Sequence, residues 1–229
     1  HLDLLPVKLK LAVDYNHAGR YADALKLHQN VLELRRSKLG PDHPDTLTSM
    51  RTVALFLVQL NRGAEALPLI DECAKHADRK DVEPTMIPLM GLRLQHFERV
   101  RDVAGCRETA ELWEKLNRTD ADSLYMAARM HAVTASVIRR AGPKSGLQAE
   151  DAVAEADRAM ASLKRAVAAG LKDAARLKVG KDFDVLRDRA EFTKLVAEVE
   201  KKASFPVAPR PAQKELEKAR GPSENSGDK

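Results

Sequence analysis

Aromatic residues are scarce in this chain, at 4% of 229 positions with a single tryptophan. So few rings argue against a flat stacking platform for single-stranded nucleic acid. Cysteine is nearly absent too. Cys73 and Cys106 are too few for a disulfide framework or a zinc site, and both fall inside helical patterns as small buried hydrophobes. No run of about 18 apolar residues occurs, so no membrane span is expected. No block of five or six like charges occurs either. The formal net charge of +5 and the pI of about 9.2 keep nucleic acid in view. However, 39 Lys and Arg are interspersed with 34 acidic residues. That reads as a mixed solvated surface, and nucleic acid is not the expected partner.

Chemical signatures are missing as well. The seven histidines form no HExxH and no His-x3-His pair, so no metal ligands and no cofactor are assigned. No nucleophile elbow or acid–base pair stands out, and no catalytic residue is assigned. Asp182 and Asp184 flank Phe183 and read as caps and solvated charge. Trp113, beside Leu112 and Leu116, reads as core. The chain starts at His1 with no signal-peptide pattern, which suggests a fragment or processed piece with room for a domain ahead of it.

What is present is a repeat. Leu5, Leu11, Ala12, Arg20, Ala24, Leu25 and Leu27 recur 42 positions later as Leu47, Val53, Ala54, Arg62, Ala66, Leu67 and Leu69. A fixed period of this length marks stacked helical hairpins, and such solenoids mostly bind other chains. Apolar residues at three- and four-residue spacing supply the helix faces. In the first hairpin, Gly19 is expected to take positive φ in the turn, and in the second Asn61 takes its place. The link Gly40–Thr46 should stop one helix at Gly40 and start the next at Pro44, capped by Asp42 or His43. The third turn is expected around Ala104–Gly105. Its first helix should begin between Pro84 and Pro88, or kink there. Thr119 or Asp120 should cap a long fourth-unit helix running to about Arg140, followed by a second from Ala149 to Ala169. The expected layout is helical repeats over 1–170 (about 2–43, 44–83, 84–118 and 119–170). Capping helices follow over 171–203, about Asp173–Lys178 and Ala190–Lys202. A disordered tail is expected over 204–229, rich in Pro and charge, apart from a helical turn near Gln213–Ala219.

Leu11-Ala12, Tyr15, Gly19-Arg20-Tyr21, Ala24-Leu25 and Leu27 resemble a tetratricopeptide repeat. The link Leu39-Gly40-Pro41-Asp42-His43-Pro44-Asp45-Thr46-Leu47 is similar to the inter-repeat signature of the kinesin-light-chain type. The resemblance implies an all-α, right-handed superhelix of helical hairpins with a C-terminal helical cap. It also implies that the first helix of each pair lines a concave groove. By register that groove holds Leu9, Val13, Asn16 and His17, then Thr48, Arg51, Leu55, Val58 and Gln59, a mixture suited to a peptide or helix of a protein partner.

A second likeness lies further on. Ala104-Gly105-Cys106-Arg107, Thr109-Ala110, Trp113-Glu114-Lys115-Leu116, Ala166–Gly170, Phe183-Asp184 and Phe192 resemble the C-terminal regions of large bacterial serine/threonine protein kinases. The chain itself has no Gly-rich phosphate loop, no His-Arg-Asp and no Asp-Phe-Gly. Arg101-Asp102 and Arg187-Asp188 lack the preceding His. The resemblance therefore implies a cytoplasmic regulatory or substrate-docking tail of a kinase, not an enzyme. The alternative is a free-standing adaptor or sensor that binds a small ligand or nucleic acid.

Overall fold

A computed structural model describes residues 4–76, 83–142 and 146–204. Every regular element among them is helical: α1 (Leu5–His17), α2 (Tyr21–Leu39), α3 (Pro44–Gln59), α4 (Gly63–Ala74), α5 (Glu83–Val100), α6 (Val103–Glu114), α7 (Ala121–Ala141), α8 (Ala149–Ala168), α9 (Ala174–Val179), a 3₁₀ turn (Lys181–Leu186) and α10 (Ala190–Ser204). Helices pair as hairpins, and each hairpin packs on the next: α2 on α3, α4 on α5, α6 on α7. The chain is a tetratricopeptide-like all-α helical repeat. Of the expected tail, residues 205–229 lie outside the described residues, including the turn near Gln213–Ala219.

One bond closes three hairpins alike. Arg20 N–H donates to Tyr15 O at 2.8 Å, Arg62 N–H to Leu57 O at 2.8 Å and Asp102 N–H to Phe97 O at 2.9 Å. This is the six-to-one bond of a helix ended by a left-handed residue. That residue is Gly19 (φ 73°), Asn61 (φ 62°) and Arg101 (φ 59°) in turn. The third turn is thus at Arg101, not at Ala104–Gly105. Gly105 lies in the first turn of α6, where a Cβ would fall 2.2 Å from Phe97 Cδ1. Its glycine serves close helix packing instead.

Helix starts follow side-chain chemistry. His43 is the N-cap of α3, and its Nδ1 accepts from Asp45 N–H at 3.2 Å. Pro44 opens the helix, where its missing N–H costs nothing. Asp120 caps α7 by accepting from Ser123 N–H at 2.8 Å. The helix α5 starts at Glu83, ahead of both prolines instead of between them. Pro84 falls in its first turn, and Pro88 lies inside it, as Pro68 does in α4.

Two apolar cores result. The first joins α2 to α6 and one face of α7, including Leu25, Met50, Ile70, Leu89, Cys106, Trp113 and Met130. The second joins the other face of α7 to α8, the 3₁₀ turn and α10, through Ala128, Ala132, Ala156, Leu163, Phe183 and Val199. Trp113 is 2% exposed, and its Nε1–H donates to Ser123 O at 2.9 Å.

Candidate interaction face

The shared turns put the first helices in register. Arg51 on α3 corresponds to Leu9 on α1 and Gly91 on α5. Leu55 likewise corresponds to Val13 and Gln95, and Gln59 to His17 and Arg99. Within this register His17, Thr48 and Gln59 are exposed, Leu9, Asn16, Arg51 and Leu55 are half-buried, and Val13 is 48% exposed. Val58 departs from the expected set. It is 2% exposed and packed in the first core, so its side chain offers nothing to a partner. One helical position separates it from Gln59, enough to turn it from surface to core.

The same register continues beyond the second hairpin, where the sequence pattern gives no groove. Since α3 packs on α5 and α5 on α7, a depression of about 400 Å³ opens between α5 and α7. Its lining includes Ile87, Pro88, Gly91 and Gln95 from α5, with Met126 and Arg129 from α7. Gly91 has no side chain to fill it. A Cβ there would lie 3.4 Å from Arg129 Nη1. Arg129 pairs with Asp182 from the 3₁₀ turn, so Asp182 is an ion-pair partner and not a cap. Arg176 Nη1 pairs with Asp122 at 2.8 Å and covers the Tyr125 ring at 4.1 Å. Arg99 donates to neutral acceptors, the Val58 carbonyl at 3.3 Å and the Asn61 side chain. The residue type at the turn does not announce this extension: Arg101 closes it at φ 59°, and arginine is not a turn former.

A second cluster also has no signature in the sequence. His131 on α7 faces Glu155 of α8 through Nδ1 at 2.8 Å and Glu114 of α6 through Nε2 at 2.9 Å. With carboxylates at both ring nitrogens, only the doubly protonated ring, an imidazolium, can donate to both. Burial opposes that charge, but the two carboxylates outweigh it and raise the His131 pKa. Burial likewise works against the Glu155 carboxylate, yet His131 and Arg107 hold its pKa down. Arg107 on α6 donates to Glu155 at 3.0 Å and to Asp151 at 3.1 Å. Hence the cluster ties α6, α7 and α8 together. Elsewhere burial pushes both thiols, Cys73 and Cys106, up to about 12. Among the described residues no group of three or more His, Cys, Asp or Glu could hold a metal ion. Among them no helix is long and apolar enough to cross a membrane.

Residues 3–78 match the family model of the tetratricopeptide repeat. The match spans the first two hairpins, α1 to α4. No curated protein matches the chain. Tetratricopeptide repeats are non-catalytic scaffolds that generally mediate protein–protein interaction.

Proposed function

We propose that this chain is a protein–protein interaction scaffold that docks a segment of a partner along the register face of α1, α3, α5 and α7. The observation that carries this reading is the depression at Gly91. A glycine inside a helix costs roughly 1 kcal/mol relative to alanine, and Pro88, three residues earlier, removes a backbone donor. Both unfavourable residues fall on a face that packing leaves open. Leu9, Val13, Leu55 and Ile87 supply apolar contacts, and Arg51 and Arg99 supply positive charge. A partner segment carrying apolar and acidic side chains fits that surface.

The test is capture of a partner by the wild-type chain, its identification by mass spectrometry, and affinity measurement with Gly91→Leu and with the Arg51→Ala/Asn16→Ala pair. Weakening by about tenfold or more in each, with circular dichroism unchanged, is expected when a residue central to an interface is altered. Unchanged affinity in both overturns the assignment of this face.

We further infer that the parent protein is a bacterial serine/threonine kinase, cytoplasmic, with kinesin-light-chain-like repeats, and that this chain is its regulatory or substrate-docking region. Support comes from the resemblance of the Ala104–Leu116 and Phe183–Phe192 segments. The sequence encoded ahead of His1 decides it: kinase motifs there carry the reading, and their absence removes it.

A further inference from the structure

The register of the first helices also defines a second face, the one each hairpin turns toward the hairpin before it. On α3 that face carries Thr46, Ser49, Val53 and Phe56. Arg35 of α2 donates to Ser49 Oγ at 2.9 Å, and the His28 ring of α2 stacks on Phe56 at 5.1 Å. On α5 the matching residues are Met86, Leu89, Arg93 and His96. Here α4 is the covering helix: Asp71 pairs with Arg93 at 2.5 Å, and a Cβ on Gly63 would sit 2.4 Å from His96 Nδ1. All but His96 are at most 5% exposed, and His96 is half-buried.

The matching residues at α1 are Leu4, Val7, Leu11 and Asp14. Leu4 is 52% exposed, Val7 63% and Leu11 40%, and Asp14 is exposed. The pattern is as apolar as on α3 and α5, yet no helix among the described residues covers it. A helix that terminates a repeat array carries a polar outer face. This one carries three aliphatic side chains in a row, the signature of an interface.

The residues just ahead of α1 point to what belongs there. His1 and Asp3 recur as His43 and Asp45 at the same 42-residue spacing, with Leu2 in the place of Pro44. In the second unit His43-Pro44-Asp45 ends the link that delivers the chain from α2 into α3, with His43 as N-cap.

We propose that the Leu4–Val7–Leu11 face is the stacking surface for one further helical hairpin of the same polypeptide. Its second helix lies on α1 as α2 lies on α3. That helix is amphipathic, and its apolar stripe replaces the solvent that now meets Val7 and Leu11. The surface is distinct from the face proposed for partner docking, so either assignment can fail alone.

Hydrogen exchange tests it on two proteins: the chain as it stands, and the natural polypeptide lengthened by the 42 residues encoded before His1. Amides of α1 should exchange at least about tenfold more slowly in the longer chain, since covering an exposed helix raises its opening free energy. A Val7→Glu/Leu11→Glu pair should abolish that protection in the longer chain. In the shorter chain it should lower the thermal midpoint far less than in the longer one, because Val7 is 63% and Leu11 40% exposed there. Equal exchange in the two proteins overturns the proposal. So does light scattering that finds a dimer of the shorter chain which the Glu pair splits, because the occupant is then a second copy.

Discussion

At His131 two carboxylates compete with burial and win, which makes the charge state of one side chain a part of the fold. Glu114, Glu155, Arg107, Asp151 and Arg158 surround it from α6 and α8. The pKa of His131 is raised in the folded chain, so its contribution is complete below the unfolded value of about 6.5. The contribution is lost as pH rises through the folded value. Glu155 is lowered, so its contribution is complete above the ordinary carboxylate value of about 4.3 and is lost as pH falls through the folded value. Stability should therefore peak between those two ordinary values. Urea unfolding at a series of pH values should show the decline on the alkaline side, and His131→Asn should flatten it. His131→Ala should cost about 3 kcal/mol, the order expected when a buried carboxylate loses a partner. A stability curve for His131→Asn that still declines like wild type above pH 6.5 would place the proton elsewhere.

Helices and turns show how far local chemistry can be read. The ends at Gly19, Gly40 and Asn61 are legible because their residue types tolerate positive φ, and the start at Pro44 is legible because proline suits a first turn. The third turn is not. Arg101 holds φ 59° against its own preference, because α5 and α6 packing fixes the chain there, and the neighbouring glycine points three or four residues too far along. The same displacement hides Gly91, Gln95 and Arg99 as matches to Arg51, Leu55 and Gln59. The His131–Glu155 pair is equally invisible, since their contact across 24 residues depends on how α7 meets α8. Two substitutions separate the roles of these positions. Arg101→Gly should raise stability by up to about 1 kcal/mol by relieving a left-handed arginine. Gly105→Ala should lower it by about 1–3 kcal/mol, because its methyl group would overlap the Phe97 ring. Denaturant midpoints measure both, and a destabilising Arg101→Gly would show that the turn carries no strain.

Across the whole molecule, α7 is the element on which the two cores depend. It buries fourteen of its 21 residues, with Met126, Met130 and Val137 facing the first core and Ala128, Ala132 and Ala135 facing the second. At the other extreme α1 buries only Ala12. A stacked array loses its units according to how many neighbours hold each one, so opening should start at α1 and reach α7 last. Hydrogen exchange should give that order, with α7 amides opening only at the global free energy. The small residues on the α8 side make a sharper test. Ala132→Leu adds bulk at a fully buried position of the second core and should cost about 1–3 kcal/mol. Its effect should divide at α7: faster exchange in α8 and α10, with α3 and α4 unchanged. Trp113, the one tryptophan of the chain, sits on the first-core side and bonds to the start of α7. Its fluorescence should unfold together with the helical signal in the wild type and after it in Ala132→Leu, because the second core then opens while the first still stands. Coincident transitions in the variant would mean that α7 transmits the damage through both faces and that the two cores form one cooperative unit.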